Sequence, residues 1–138
     1  MSKVYVLDAC ALIALLSHEE GAEKVASVYK DTNINNAKIF MNVVNLLEVY
    51  YDFYRAYNKE TADNMISQVE ASAVNVITEI DKIILIEAGR LKATYKISLA
   101  DSFALAQTKV IGGILVTSDH HEFDVIEDKE DISFLWIR

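Results

Sequence analysis

The chain has no proline, one cysteine and four glycines among its 138 residues. The glycines, Gly21, Gly89, Gly112 and Gly113, cannot form a Gly-x-Gly-x-x-Gly or Walker-type phosphate loop, so nucleotide-binding readings lose their main support. A lone cysteine, Cys10, excludes an intramolecular disulfide and fits a reducing, cytoplasmic setting. No apolar run approaches the length that spans a bilayer, and the start, Met1-Ser2-Lys3, lacks a signal-peptide pattern. Internal repeats, low-complexity tracts and proline-rich linkers are also lacking. Basic residues are the minority, 13 against 21 acidic, for a net charge of −8. That balance argues against a broad electrostatic footprint for nucleic acid. It leaves open an enzyme whose acidic pocket is neutralised by divalent cations.

What is present is apolar residue, 52% of the chain, in alternating short and long segments. The length suits one domain over residues 1–138. Val4-Tyr5-Val6-Leu7 reads as a buried strand and Ala9 to Leu16 as a buried helix, with Asp8 the only charge between Val4 and Leu16. Ser17 to Gly21 is a turn. Ala22, Val25, Ala26 and Tyr29 then recur at helical spacing, and Asp31 to Asn36 reads as a polar break. A short strand at Lys38–Met41 leads into a long helix whose inward stripe is read as Val43, Leu46, Leu47, Tyr50, Phe53, Tyr54 and Tyr57. Thr61 is the expected cap of a helix burying Ala62, Met65, Ile66 and Val69. Strand Val74–Ile77 is followed by a helix capped by Asp81, with Leu85, Ala88, Leu91 and Tyr95 inward. Ser98 opens a helix carrying Phe103, Ala104, Ala106 and Val110 to a stop at Gly112-Gly113. Strands Ile114–Thr117 and Phe134–Ile137 complete the chain, with His120-His121 in an extended or loop segment. The alternation predicts an α/β/α sandwich around a mainly parallel sheet of four to five strands.

Four acids stand out within this frame. Asp8 and Asp119 each end an apolar strand, where open α/β sheets place their chemistry, although either can equally cap the segment that follows. Glu48 flanks an apolar stripe with Asp52 at i+4, so its charge needs a cation from elsewhere. Asp101 matches a capping box with Ser98 and suits the helix dipole there. If the strands of Asp8 and Asp119 are parallel neighbours, their carboxylates meet at one rim, and Glu48 and Asp101 can join from the helices. Four carboxylates sharing a pocket require protonation of some or bound hard cations. Oxygen-only ligation favours magnesium or manganese over zinc, and such ions between carboxylates and phosphate oxygens are the usual apparatus of phosphodiester hydrolysis.

With those positions in view, the sequence resembles the PIN-domain ribonuclease family, and within it the VapC-type toxins of toxin–antitoxin pairs. The resemblance runs through Val6-Leu7-Asp8-Ala9-Cys10-Ala11-Leu12-Ile13 and Asn45-Leu46-Leu47-Glu48-Val49. It continues through Ser98-Leu99-Ala100-Asp101-Ser102-Phe103-Ala104-Leu105-Ala106 and Val116-Thr117-Ser118-Asp119-His120-His121-Glu122-Phe123. It implies metal-dependent endonucleolytic cleavage of RNA by an acidic quartet of Asp8, Glu48, Asp101 and Asp119. Asp8, Asp101 and Asp119 would hold Mg2+ or Mn2+, with Thr117 in support. It also implies a homodimer silenced by a cognate antitoxin. Two departures stand beside it: Cys10 replaces a frequent Ser or Thr, and the wider spacing to Phe123 leaves Glu122 or Asp124 as a possible fifth carboxylate. Arg90, Lys92 and Lys96 are candidates for phosphate contact or for a solvated helix face. Two rival readings stand beside this one: a non-catalytic PIN-like interaction module, and a phosphohydrolase using Asp8 as nucleophile.

Overall fold

The computed structural model describes residues 2–138. In chain order the elements are β1 (Val4–Leu7), α1 (Ala9–Leu16), α2 (Ala22–Ile34), β2 (Lys38–Asn42), α3 (Val43–Ala56) and α4 (Lys59–Glu70). They continue as β3 (Val74–Ile77), α5 (Lys82–Thr94), α6 (Leu99–Ile111), β4 (Ile114–Thr117), α7 (His120–Lys129) and β5 (Ser133–Trp136). The five strands form one sheet in the order β3-β2-β1-β4-β5, and every pairing is parallel.

Side chains alternate across this sheet and divide the core into two layers. Tyr5, Leu7, Ile39, Met41 and Val116 face one side, where Leu12, Val25, Val28, Val49, Met65 and Val69 of the helices cover them. Val6 and Leu115 face the other, under Leu91, Phe103, Leu105, Phe123 and Ile126. The expected α/β/α sandwich is thus present, with five strands and a wholly parallel sheet. The strand order reverses direction at β1, since β2 lies on one side and β4 on the other. That creates a crevice beyond the carboxyl ends of β1 and β4.

Several local expectations are corrected. The polar stretch after Tyr29 continues α2 to Ile34. Asn58, through its side chain, caps α4 by accepting the Thr61 N–H at 2.8 Å; Thr61 lies inside the helix. The buried stripe of α3 is Asn45, Leu46 and Val49, while Leu47, Tyr54 and Tyr57 are exposed. In α5 the inward residues are Ile84, Ala88 and Leu91, and Leu85 faces out. Val110 is also exposed. The His120-His121 segment is the first turn of α7. The predicted stop of α6 is borne out: Gly112 takes φ +67°, a left-handed conformation natural to glycine, and its N–H bonds back to the last turn.

Candidate active site

Asp8 and Asp119 are adjacent because β1 and β4 pair in parallel, with Leu7 opposite Val116. One residue further along, the Asp8 N–H reaches the Val116 carbonyl at 3.4 Å, and the side chains of Asp8 and Thr117 meet. Thr117 is wholly buried and bridges the two acids. Its Oγ1 donates to Asp8 Oδ2 and accepts the Asp119 N–H at 3.0 Å. Asp8 Oδ1 accepts the Ala11 N–H at 2.9 Å, so the capping role read from the sequence is real. It occupies one carboxylate oxygen, and the Thr117 hydroxyl holds the other. Asp119 in turn caps α7, accepting the Glu122 N–H at 3.2 Å.

Asp101 enters from the first turn of α6. Ser98 Oγ accepts its N–H at 3.1 Å. No reciprocal bond from the Ser98 N–H to the Asp101 carboxylate closes a capping box among the described residues. Asp101, Asp119 and Glu122 each bring a carboxylate oxygen to a common place, all within 4.8 Å of one another. Glu122 therefore joins the cluster, and Asp124 does not. Asp124 turns to His120, whose Nδ1 lies 2.8 Å from its Oδ1. His120 is further fixed by Nε2 against the Arg138 carbonyl, at 2.8 Å, and by stacking on Trp136 at 3.8 Å. The two adjacent histidines thus diverge, His121 lining a cavity beside the α5–α6 connection. Asp8 lies deeper than the trio, only 1% exposed.

The electrostatics express the crowding. Burial, followed by the charges of Asp119 and Glu48, pushes the Asp8 carboxyl up to about 7, against the bonds from Thr117 and Ala11. Burial, then the charges of Asp119 and Asp8, raises Asp101 to about 8. Glu48 is raised by burial and by Asp52 and Asp119. The quartet is thus brought into one field, and no cation among the described residues pairs with it. Cys10 lies in the same field, where burial and the acids hold its thiol protonated, so it is no nucleophile. Asp8 itself, buried with both oxygens bonded, is poorly placed to attack a phosphate ester. A donor set of carboxylate oxygens with neither thiolate nor imidazole among it suits a hard divalent cation.

Of the candidate phosphate contacts, Arg90 is held by Glu87 and Glu130, both at 2.6 Å, and Lys92 Nζ donates to the Ile97 carbonyl at 2.7 Å. Lys96 remains unpaired among the described residues. Three buried amides, Asn42, Asn45 and Gln107, stand beside the candidate acids read from the sequence. Asn42 Nδ2 donates to Gln107 Oε1 at 3.2 Å, and Asn45 Nδ2 donates to the Ala100 carbonyl at 3.0 Å. Asn45 ties α3 to the start of α6, one turn before Glu48. Its Oδ1 is buried without a partner. An asparagine three residues before an acid on an apolar helix was the available signal.

Residues 5–129 match the family model described as PIN domain. The chain belongs to the PIN domain family. Solved structures share the fold of this PIN chain. VapBC-1 from nontypeable Haemophilus influenzae aligns at 20% identity and a TM-score of 0.72, covering 97% of this chain and 98% of that one. DNA-bound VapBC from Salmonella typhimurium aligns at 16% identity and 0.72, covering 100% of both. Mycobacterium tuberculosis VapC20, a Sarcin-Ricin loop cleaving toxin, aligns at 11% identity and 0.64, covering 80% of this chain and 86% of that one. A search of curated proteins by sequence returned no match. No helix among the described residues of this PIN chain is long and apolar enough to cross a membrane.

Proposed function

We propose that this PIN-domain chain is a divalent-metal-dependent endoribonuclease acting in the cytoplasm, the toxin of a type II toxin–antitoxin module. Residues 1–138 act as one nuclease domain. What supports the proposal is the field that Asp8, Glu48, Asp101 and Asp119 share beyond β1 and β4: burial and the charge of Asp119 raise Asp8, Glu48 and Asp101 alike. Their repulsion is left for a cation to relieve. Asp101, Asp119 and Glu122 supply the closest oxygens for Mg2+ or Mn2+, with Asp8 beneath them. When bound, such an ion acidifies a water and neutralises charge on the scissile phosphate.

The chain's own residues orient and attract. Thr117 fixes the Asp8 carboxyl by donating to Oδ2, and Ala11 fixes Oδ1. Asn45 holds α3 against the start of α6, one turn before Glu48 on the same helix. The caps Asp8, Ser98 and Asp119 show that α1, α6 and α7 all begin at this place. The positive dipole ends of these helices offer an attraction for phosphate that an acidic surface does not. Asp8 and Asp101, raised toward neutrality, would have to be ionised to hold such a cation.

An antitoxin partner and a homodimer belong to the proposal. Exposed apolar side chains are available for both: Leu47, Tyr51 and Tyr54 on α3, and Ile83, Leu85 and Ile86 on α5. Light scattering of the isolated chain tests the dimer. The enzymatic test is cleavage of RNA with Mg2+ or Mn2+, with and without chelator. Asp101→Asn and Asp8→Ala should each abolish cleavage, and unchanged rates in both would overturn the mechanism. A non-catalytic module would instead show no manganese binding that Asp119→Ala removes.

A further inference from the structure

Beside the acid cluster lies a cavity of about 400 Å3, walled by the α5–α6 connection on one side and by α7 on the other. Glu122 lines this cavity and also belongs to the Asp101–Asp119–Glu122 trio, so any occupant sits next to the proposed reaction centre. Its volume falls in the range of small-ligand sites, about 300–1,000 Å3. Ile97 and Val125 give it apolar walls, while Lys96 and His121 add polar groups. Ile97 is buried and Val125 is 54% exposed, so one wall is fixed and the other lies at the mouth.

The charge arrangement is selective. Arg90 and Lys109 are neutralised by Glu87 and Glu130, and Lys92 is committed to the Ile97 carbonyl. Lys96 alone of this basic group carries no such commitment among the described residues, and it lines the cavity. The connection is also preformed. Lys92 pins Ile97 at 2.7 Å, Tyr95 Oη donates to Glu130 at 2.5 Å, and Ser98 starts α6 immediately afterwards. A preformed wall lowers the ordering cost of binding.

We propose that this cavity is the subsite for the nucleotide adjoining the scissile phosphate. The base lies between Ile97 and Val125, Lys96 attracts the backbone phosphate, and the His121 imidazole meets the base edge. The inference rests on the nuclease reading and adds where that substrate is held and which residues select it. In this role Lys96, His121 and Val125 are positioning residues.

Short RNA oligonucleotides with an abasic nucleotide on either side of the cleaved bond test the subsite, using the full chain with Mn2+. For the wild type, one of the two abasic substrates should lose about ten-fold or more in kcat/KM. Val125→Trp, which fills the mouth from an exposed position, should raise KM for intact RNA by a similar factor and erase the abasic penalty. Lys96→Gln should raise KM and flatten its salt dependence. Equal KM in wild type and both variants, or no abasic penalty at either position, overturns the subsite while Asp101→Asn still reports on the nuclease. If the wild type cleaves no RNA, the nuclease reading falls, and an NMR titration with AMP, GMP, CMP and UMP judges the cavity alone. Saturable shifts at the Ile97, His121 and Val125 amides, absent in Val125→Trp, support it. Absent or scattered shifts overturn it.

Discussion

Asp8 combines a structural bond with an uncomfortable charge. It caps α1 through Oδ1, yet burial lifts its carboxyl to about 7 from an ordinary 3.8. Asp8→Asn keeps a side-chain oxygen for the Ala11 N–H and removes the charge. RNA cleavage should disappear, while the metal-free protein at pH 8 gains a few degrees in Tm, a trade of stability against activity. At pH 5 the gain should shrink, because Asp8 is then largely protonated. Equal Tm changes at the two pH values would contradict the buried charge. Thr117 belongs to the same scale. Thr117→Val deletes both the donor to Asp8 and the acceptor of the Asp119 N–H, and loss of such an orienting group typically costs about 10–100-fold in metal affinity or activity. Calorimetry with Mn2+ and initial cleavage rates measure both. Glu122→Gln should weaken Mn2+ binding, whereas Asp124→Asn should not, since Asp124 faces His120.

At the scale of elements, α7 is the piece whose placement matters most. Its N-cap is Asp119 and its first turn carries Glu122, while its C-terminal cap residue, Glu130, is tied to α5 and α6. Arg90 and Lys109 reach Glu130 at 2.6 and 3.1 Å, and Tyr95 Oη donates to it. Those partners, Arg90 foremost, hold its carboxyl down at about 2. Glu130→Gln should cost about 1.5–3 kcal/mol of stability, the scale of charged hydrogen bonds, seen as a lower urea midpoint. A midpoint equal to the wild type would show the network to be idle. The sequence hid α7 because its inward face is only Phe123 and Ile126, among charged neighbours that read as loop. In α3 the difficulty was opposite. Val43, Val44, Leu46, Leu47, Val49 and Tyr50 put apolar residues almost all around the helix, so periodicity could not say which side faces the sheet. Packing against α4 and α6 selected Leu46 and Val49 and drew the polar Asn45 inward, leaving Leu47 56% exposed. By contrast, the four strands that begin at Val4, Lys38, Val74 and Ile114 were legible, since β-branched runs bounded by polar residues have few other uses.

For the whole molecule, the acids make stability depend on pH in an unusual direction. A carboxyl raised on folding favours the folded state while it keeps its proton. The contribution of Asp8 and Asp101 is complete below about pH 4 and is lost as pH rises through about 7 and 8. Glu130, held at about 2, acts oppositely and its contribution fades only as pH falls toward that value. The metal-free protein should therefore be most stable in mildly acid solution and lose several degrees in Tm by pH 8. Mn2+ should restore most of that loss at pH 8 and change little at pH 5, because binding favours the ionised acids. Thermal melts across pH, with and without Mn2+, check this; a metal-free Tm that climbs steadily from pH 5 to 8 would refute it.

The sequence by itself determined the alternation of strands and helices, the acidic quartet as candidates and the family resemblance. Local propensity and the rarity of charge inside apolar runs are written in neighbouring residues. Only the tertiary structure decided that Thr117 bridges Asp8 and Asp119, that Glu122 and not Asp124 faces the cluster, and that Lys96, unpaired among the described residues, lies beside a cavity. Each of these depends on β1 pairing with β4 and on the rotation of a helix about its axis. Contacts more than a hundred residues apart, such as that between Asp8 and Thr117, arise from the register of the sheet.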